Sequence, residues 1–423
     1  MLYNNFHKGE YKSEFIQDGF ASLINCDIHT KLGTLQSQFA LYLDSATPNE
    51  NCIMVSVPSG IIFAVSKASG KIWQRAVNGT WTQPHTNANG AHVGAGYFNN
   101  RLWFFTSTKL GYFNLDATWA DTHGTFTNTN TTRPFVEGGV NRAFAYIGDG
   151  AQIARVDKDN TFSANVLEIP LGESITDIEE WGDDLVLTAI GARTKIYRWN
   201  QYGDTYYKPD IVAYKDIDML IQSQNSNIIF ALCRTKDDYA EFMYYTGSEL
   251  AEVAERQITD TTATNSFLKT EFNGRVHFAV GTKIYTMRNQ GLVCEYTATS
   301  AVQGMCTDGD TLFISCGTNG VYKIGTTRAN SVVQTPVFEG KAKELNVYYE
   351  SMPSGTSLSA RVKINDGSWT SVTFTQEEEN NRYVMRSGFP SQNINFLQAE
   401  ITLNGYNTLY YNYTPVIRAI EIK

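Results

Sequence analysis

Short apolar runs alternate with Gly- and Asn-containing turns through most of the chain. Each repeat has an apolar run, a two-residue turn, an alternating segment, a second polar turn and a third segment, as in VSVPSGIIFAVSKASGKIWQRA and EEWGDDLVLTAIGARTKIYRW. Alternation over about four to eight residues between turn signals is typical of antiparallel strands. No long segment shows a 3.6-residue period, so the pattern argues against a helical architecture.

The first turn of the repeat recurs at intervals of 35 to 48 residues. Its second residue is Gly60, Asn100, Asn141, Asp183, Ser226, Gly274 or Gly309. Several of these turns suit tight hairpins, because Gly, Asn and Asp tolerate positive φ. A third strand is predicted 11 to 14 residues after most of them, at Trp73, Tyr112, Ala154, Tyr197, Tyr285 and Tyr322. The fifth repeat is irregular.

These seven repeats predict a seven-bladed β-propeller over residues 46–327. A period of about 40–50 residues with four short strands is typical of a propeller blade. Closing the ring removes exposed strand edges, which otherwise invite aggregation. A stack of two β-sandwiches remains the alternative architecture for this part of the chain. Inside it, THGTFTNTNTTRPF, from Thr122 to Phe135, predicts a polar, flexible insertion.

The repeat ends after about Gly325, and residues 328–423 predict a separate β-sandwich or jelly-roll domain. The segment TTRANSVVQTPVFEGK is polar and contains Pro, which is typical of a linker. The segment KELNVYYESMPSGTSLSARVKINDGSWTSVTF then alternates strictly around two Gly-containing turns, and NFLQAEITLNG and TPVIRAIEIK add two strands. Such a series of short strands suits two packed sheets.

Residues 1–45 predict an N-terminal arm. Phe20 to Ile24 form an apolar patch, and Leu35, Phe39 and Leu41 lie in an alternating segment. We expect the arm to dock on the propeller. Its alternating end would add an outer strand to a blade or pair with a neighbouring subunit, and an arm that serves only its own fold fits the pattern equally well.

Composition narrows the classes of function. Aromatic residues make up 13% of the chain and charged residues 18%, which favours strands. The net charge of -9 predicts no stable nucleic-acid binding, because such affinity rests largely on Lys and Arg that neutralise phosphates. No apolar run approaches the ~20 residues of a membrane span, so no membrane insertion is expected. The six cysteines are widely scattered, which predicts free buried thiols rather than a disulfide framework.

No catalytic, cofactor-binding or metal-binding residue is predicted. A glycosidase needs two facing carboxylates. The acidic pairs and runs, Glu179-Glu180, Asp183-Asp184 and Glu377-Glu378-Glu379, are expected to be solvated surface. The histidines lack the spacing of a zinc site: His7, His29, His85, His92, His123 and His277.

Two further segments resemble functional motifs only in part. Asp157 to Asn160 has the start of a calcium loop but not its remaining ligands, so a surface turn is expected. SKASGKIW, from Ser66 to Trp73, resembles the Asp-box turn of sialidase-like propellers, with Ala68 in the place of the Asp. That box is a folding element, so the resemblance implies no hydrolysis.

The two ends of the chain resemble tail proteins of tailed bacteriophages. The resemblance lies in DGFASLINCDI and KLGTLQSQ near the start, and in LNVYYESMPSGTSLSARVKINDGSWTSV, FLQAEITLNGYNT and TPVIRAIEIK near the end. With a propeller between them, the pattern is similar to virion tail proteins of the nozzle or upper-tail kind. It covers most of the chain as architecture and loose motifs, not as invariant residues.

This resemblance implies a structural, non-enzymatic component of a phage tail that scaffolds tail assembly and genome delivery. The expected partners are other virion proteins and further copies in a homo-oligomeric ring, with a host surface receptor or glycan as an additional partner. The protein would be made in the host bacterial cytoplasm and reside in the virion. Two alternatives remain: a receptor- or carbohydrate-binding protein at the tail tip, and a sialidase-like or polysaccharide-degrading enzyme.

Overall fold

The chain folds almost entirely into β-strands. The computed structural model describes residues 2–3, 20–28, 34–115, 118–139, 142–223, 228–288, 291–365, 367–379, 382–389, 394–407 and 412–423. Within these ranges the regular structure is β-strand apart from one 3-10 turn, Gly317–Asn319. The same ranges contain no helix long and apolar enough to cross a membrane. The all-β class predicted from the sequence is confirmed.

Four-stranded antiparallel units follow one another along the chain, and the described residues form seven of them. Unit 1 contains Cys52–Ser56, Ile62–Ser66, Lys71–Arg75 and Trp81–Thr86, and unit 2 contains Gly94–Phe98, Arg101–Phe105, Lys109–Asn114 and Thr118–Thr125. Unit 3 contains Phe135–Gly138, Phe144–Asp149, Gln152–Asp157 and Phe162–Glu168, and unit 4 contains Ser174–Trp181, Asp184–Ile190, Lys195–Trp199 and Asp210–Ile211. Unit 5 contains Asp216–Ser223, Ile228–Arg234, Ala240–Tyr245 and Leu250–Ile258. Unit 6 contains Lys269–Phe272, Arg275–Val280, Lys283–Arg288 and Gly291–Thr297. Unit 7 contains Gly304–Thr307, Leu312–Ser315, Val321–Arg328 and Phe39–Ser45.

The predicted first turns lie between the first and second strands of their units wherever the structure describes them. Gly60 has a φ of 77° and Asn100 a φ of 57°, the left-handed backbone that tight turns require. Asn141 and Ser226 lie outside the described residues. All six predicted third-strand positions lie on third strands, and the irregular fifth repeat has its third strand at Ala240–Tyr245.

The units lie side by side in a closed cycle. The first strand of each unit contacts the first strand of the next, and Gly304–Thr307 of unit 7 contacts Cys52–Ser56 of unit 1. The apolar cores lie between neighbouring sheets: Trp103 of unit 2 shares a cluster with Ile147 of unit 3. Because each unit buries its faces against two neighbours, its stability depends on both of them.

All six cysteines are free and buried, as the sequence predicts: Cys26, Cys52, Cys233, Cys294, Cys306 and Cys316. Burial raises the pKa of the Cys316 thiol to about 11. Such thiols pack as small apolar side chains and have little reactive thiolate.

The N-terminal segment closes unit 7. Phe39–Ser45, the closing strand, pairs antiparallel with Val321–Arg328 as the fourth strand of that unit. Its Asp44 accepts hydrogen bonds from Arg75 Nε at 2.7 Å and Trp81 Nε1 at 2.8 Å, both in unit 1. The last unit is therefore completed by the start of the chain and tied to the first unit.

The C-terminal part has two sheets. One has the strand order Leu2–Tyr3, Val416–Ile422, Glu344–Ser351, Arg382–Gly388, Thr375–Glu379. The other runs Ser331–Gln334, Phe396–Asn404, Ser357–Ile364, Thr370–Val372, and Phe338–Glu339 also pairs with Phe396–Asn404. Two short hairpins complete the strands: Cys26–Asp27 with Gln36–Ser37, and Tyr406–Asn407 with Asn412–Tyr413. Side chains of both sheets, including Val347 and Ile401, share one apolar cluster.

The apolar patch of the arm packs in this C-terminal core, where Phe20, Leu23 and Leu35 are buried. Ile24, the last residue of the patch, packs instead against an apolar cluster of units 5 to 7. The expectation of docking on the propeller therefore holds for the closing strand, whereas the patch Phe20 to Ile24 contacts both parts of the chain. Ser22–Ile24 lies between Gly291–Thr297 of unit 6 and a C-terminal strand, so a ten-stranded sheet runs through both parts. Phe15 and Gly33 lie outside the described residues.

The predicted linker and the predicted flexible insertion both contain regular structure. The predicted linker contains Ser331–Gln334, which pairs with strands on both sides. In the predicted insertion, Thr118–Thr125 is a strand, and the following loop is held by buried Arg133 and Asp149. Both predictions failed because local polarity does not reveal distant hydrogen-bond partners.

Limited proteolysis should therefore start elsewhere. Chymotrypsin is expected to cut first after Tyr202 or Tyr207, which are 66% and 51% exposed in a loop of unit 4. Cleavage at Phe126 or Phe338 should follow later, because Phe126 is buried and Phe338 lies in a paired strand. Mass spectrometry of the first fragments checks this order, and early cutting at Phe338 would restore the linker prediction.

Candidate functional site

A lysine and two acidic side chains meet where the first strands of three units converge. Lys269 of unit 6 places its Nζ 2.6 Å from Asp177 Oδ2 and 2.6 Å from Glu179 Oε1, both in unit 4. The same ammonium donates to the Leu220 carbonyl of unit 5 at 2.5 Å. Because the side chain reaches past unit 5 to unit 4, this axial cluster of Lys269, Asp177 and Glu179 lies on the inner side of the cycle.

Burial dominates the electrostatics of the axial cluster. The side chains of Asp177 and Glu179 are 1% and 14% exposed, and burial raises the pKa of both carboxyls above its ordinary value. Burial alone would lower the pKa of Lys269, but the two carboxylates outweigh it and raise that pKa. One ammonium facing two carboxyls leaves a surplus negative charge, which is unfavourable in a low-dielectric site.

The position of the Lys269 ammonium bears on whether Asp177 and Glu179 could act as the carboxyl pair of a glycosidase. A glycosidase pair must face a sugar across a space of about 5–9.5 Å between the carboxyl groups. Here the Lys269 ammonium occupies the space between Asp177 and Glu179. The arrangement therefore favours neutralising and locking the inner strands over catalysis.

Replacing Lys269 by Met should lower the free energy of unfolding by about 3–5 kcal/mol at pH 7, because it leaves two buried carboxyls unpaired. Burial already raises the folded-state pKa of both carboxyls above the ordinary values of 3.8 and 4.5, and Lys269 opposes that rise. Without Lys269 the folded-state pKa rises further, so the added penalty develops as pH rises through the folded pKa and is absent below the ordinary values. Urea unfolding between pH 4 and 8 measures this. Lys208→Met, an exposed control, should show neither effect, and a pH-independent loss for Lys269→Met would contradict the account.

A second buried network ties the arm to unit 6. The fully buried Glu295 accepts from Gln38 Nε2 at 2.5 Å and Arg275 Nη2 at 3.1 Å. His277 places Nε2 2.8 Å from Glu295 and Nδ1 3.0 Å from the Arg275 carbonyl. Both ring nitrogens of His277 therefore have polar partners within unit 6. Gln38 then accepts from the Phe39 amide at 2.8 Å, which positions the start of the closing strand.

An open cleft of about 690 Å³ lies beside this network, between units 6 and 7 and the arm. Its walls carry charges of both signs, from Arg275, Arg328, Asp27, Glu295 and Asp310. A mixed lining of this kind favours neither an anion nor a cation. We therefore describe it as a joint between the arm and the units.

The other acidic candidates vary in exposure. Glu180 accepts from the Gly139 amide at 3.1 Å, and Asp184 pairs with Arg198 at 2.5 Å. Asp183 is exposed, and the Glu377 side chain is 47% exposed. The expectation that these residues lie on the solvated surface was therefore wrong for Glu179. The structure does not describe the side chains of Glu378 and Glu379.

The described histidines act in structural contacts. His85 lies 2.5 Å from Asp121 and stacks on Trp119 at 4.2 Å, while His123 contacts the Asn160 carbonyl at 2.7 Å. His7 and His29 lie outside the described residues. In the part of the chain that the structure describes, no three His, Cys, Asp or Glu side chains are placed to share a metal ion.

The Asp157 segment is a turn between two strands of unit 3. Asp157 Oδ1 accepts from the Thr161 amide at 2.8 Å, and Asn160 has a φ of 63°. The predicted surface turn is confirmed.

The Asp-box-like segment uses a carboxylate from outside the motif. Ser66 Oγ accepts from the amides of Ala68 and Ser69 at 3.1 and 2.9 Å. Glu50 accepts from Ser66 and Ser69 at 2.5 and 2.6 Å and from Lys71 at 2.9 Å. Burial would raise the pKa of Glu50, but these hydrogen bonds outweigh it and lower the pKa. Glu50 thus supplies the acidic side chain that the turn lacks at position 68.

Sequence reasoning missed the residues that carry these networks: Asp44, Asp177, Lys269, His277 and Glu295. Each lies in a strand. Asp44, Asp177 and Lys269 have partners in another unit, Glu295 has a partner in the arm, and His277 pairs with Glu295 inside unit 6. The available signal was a charged side chain within an otherwise apolar strand. That signal identifies a buried charge but not its partner.

The comparisons with known proteins bear on the fold. No protein-family model matches the chain, and no curated protein matches its sequence. A streptogramin B lyase is similar in structure, with 13% identity, TM-score 0.52, and coverage of 68% of this chain and 97% of that chain. Virginiamycin B lyase from Staphylococcus aureus is 15% identical, with a TM-score of 0.50 and coverage of 68% of this chain and 99% of that chain. Kuenenia stuttgartiensis hydrazine synthase is 9% identical, with a TM-score of 0.51 and coverage of 67% of this chain and 97% of that chain. At such identities the likeness shows a β-propeller-like fold alone.

Proposed function

We propose that this chain is a structural component of a bacteriophage tail, of the nozzle or upper-tail kind. In this proposal the seven units are the blades of one propeller, and the two C-terminal sheets form a β-sandwich. The complete cycle of contacts between first strands supports the blade count. The single apolar cluster shared by both C-terminal sheets supports the sandwich. The segments near both ends that resemble phage tail proteins supply the assignment to a tail.

The observation that carries the structural role is the ten-stranded sheet. Ser22–Ile24 pairs with Gly291–Thr297 on one side and with Ser331–Gln334 on the other. Backbone hydrogen bonds therefore continue from the propeller-like part into the C-terminal part, where a hinge would otherwise lie. A block that transmits force within a tail needs this rigidity, whereas a flexible modular protein does not.

The proposal includes no catalytic activity. Lys269 occupies the space between the two inner carboxyls, which supports this view. The likeness to two lyases does not oppose it, because similarity at this level concerns the fold.

Electron microscopy of particles tests the assignment. Gold labelling of a tag added after Lys423 should mark a ring of copies at the tail in purified particles of the phage that encodes the chain. Particles from a nonsense mutant of the same gene should have filled heads and incomplete tails. Unlabelled particles, or normal and infectious particles without the chain, would overturn the proposal.

We expect no measurable binding of duplex DNA at physiological salt. The net charge is -9. Of four arginines that a basic face would need, Arg142, Arg193, Arg198 and Arg275, three are ion-paired in different units: Arg142 with Glu137, Arg198 with Asp184 and Arg275 with Glu295. A wall along a DNA path gains from repelling phosphates. Fluorescence anisotropy with duplex DNA measures this, and tight binding that weakens steeply with salt would contradict it.

Carbohydrate binding at the tail tip is the second candidate. Tyr202 and Tyr207 are exposed in one loop, and the Arg198 guanidinium lies 5.2 Å from the Tyr207 ring and 5.0 Å from the Trp181 ring. A fixed, exposed aromatic ring suits stacking on a sugar. A glycan array with the wild type and Tyr207→Ala tests this, and the absence of binding by the wild type removes the candidate.

A further inference from the structure

A pocket of about 530 Å³ lies between units 4 and 5. Its walls are the loop 190–194 of unit 4, the connection 211–215 and Lys236 of unit 5. The loop follows Asp184–Ile190, whereas the exposed tyrosines of unit 4 lie beyond the opposite end of that strand, so the two surfaces are separate.

The charge of this pocket differs from that of the whole chain. Arg193, Lys215 and Lys236 line it, and no carboxylate of the described residues does, although the chain has a net charge of -9. Lys215 pairs with Asp238. Arg193 and Lys236 are exposed and form no ion pair with any described residue. We refer to it below as the cationic pocket.

The acidic residues that neighbour this pocket in sequence or by contact form no described ion pair with Arg193 or Lys236. Asp238 pairs with Lys215. Glu173 packs beside Gly191, but its carboxylate accepts from Lys195 Nζ and Tyr197 Oη, both at 2.5 Å. Asp237 follows Lys236 in sequence and does not line the pocket. Two cationic groups, one from the loop 190–194 of unit 4 and one from unit 5, therefore line the same concavity and are available to a ligand.

The rest of the lining is apolar or small. Ile211 is 57% exposed at the rim, and Ala192, Val212 and Ala213 contribute further apolar surface. Thr194 Oγ1 donates to the Lys215 carbonyl at 2.8 Å, which fixes the loop against the connection. Pockets of about 300–1,000 Å³ that combine apolar walls with a few polar groups are typical of small-ligand sites.

We propose that the cationic pocket binds a sugar unit that carries a carboxylate or phosphate group. The anionic group would lie between the Arg193 guanidinium and the Lys236 ammonium, where charge-assisted hydrogen bonds are strong. The apolar face of the ring would cover Ile211. A single concave site suits one small anion better than duplex DNA, which needs an extended cationic surface. The proposal does not depend on the role in a phage tail.

Isothermal titration calorimetry with the full-length chain tests the site. The probes are galacturonic acid for the carboxylate, glucose 6-phosphate for the phosphate, and galactose and glucose as neutral counterparts. We expect binding of at least one acidic sugar, and we expect Lys236→Gln and Arg193→Gln each to weaken it by about tenfold or more. Lys208→Gln removes the same charge at the other end of unit 4 and should leave affinity unchanged.

The outcomes separate clearly. Preference for galacturonic acid or for glucose 6-phosphate identifies the anionic group and supports the site. Equal affinity for the neutral sugars, an equal loss in Lys208→Gln, or no binding up to about 10 mM overturns it. Competition by duplex DNA at equal phosphate concentration would assign the pocket to nucleic acid and also overturn it. Thermal melting confirms that each variant is folded, and Arg193→Lys should restore part of the affinity.

Discussion

Deleting residues 1–45 should abolish cooperative folding of the whole chain. The deletion removes the closing strand Phe39–Ser45 from unit 7 and Ser22–Ile24 from the ten-stranded sheet. It also removes buried core side chains such as Phe20, Leu23 and Leu35, each worth about 1.5–3 kcal/mol. Together these losses are comparable with the whole stability of a typical domain, about 5–15 kcal/mol. Circular dichroism melting and size-exclusion chromatography should show aggregation or a broad transition.

Two point variants on the closing strand separate this effect from the loss of chain length. Leu41 packs against an apolar cluster of units 5 to 7, whereas Leu43 is 46% exposed on the same strand. Leu41→Asp should lower the melting temperature strongly, because it places an unpaired carboxylate against that apolar cluster. Leu43→Asp should change it little. Equal behaviour of the two variants, or normal melting of the truncated chain, would show that the arm is dispensable.

The repeat pattern was predictable from the sequence because its determinants are local. Turn residues with positive φ, such as Gly60 and Asn100, mark the hairpin between the first and second strands of a unit. Alternation then fixes which residues face the neighbouring sheet. Local rules therefore located the turns and third strands without knowledge of the ring.

The role of the arm was only partly predictable. Alternation at Phe39 and Leu41 indicates a strand, but strand pairing is decided by an edge that lies nearly 300 residues away in sequence. The apolar patch Phe20 to Ile24 carries no information on which core it enters. For the same reason Ser331–Gln334 resembled a linker, although it is a central strand of a sheet.

The charged networks were the least predictable part of the candidate site. Glu179 lies next to Glu180 and before a turn, a context that is typical of solvated surface. Its actual environment is set by Lys269, which reaches it across another unit. Such pairs depend on the closed arrangement of the units, which no local pattern encodes.

Replacing Asp44 by Ala should destabilise the chain by about 3–5 kcal/mol, because the change leaves buried cations unpaired. Asp44 and Arg75 have side chains 6% and 8% exposed, with a 2.7 Å contact between them. Lys323, on the strand paired with the closing strand, places its Nζ 2.8 Å from the other carboxylate oxygen. One side chain thus joins the closing strand to unit 1 and to the rest of unit 7. Chemical denaturation of the wild type and the variant measures the loss.

The pH dependence distinguishes this charge pair from simple packing. Burial would raise the pKa of Asp44, but hydrogen bonds from Arg75, Lys323 and Trp81 outweigh it and hold the pKa below its ordinary value of 3.8. For a depressed pKa, the stabilisation is fully present above the unfolded value and is lost as pH falls through the folded value. The stability difference between the wild type and Asp44→Asn should therefore be constant from pH 7 to about 5 and shrink below pH 3.8. Asp204→Asn, an exposed control, should differ from the wild type at no pH. If the stability loss of Asp44→Asn is unchanged at pH 3, Asp44 contributes by packing and not by its charge.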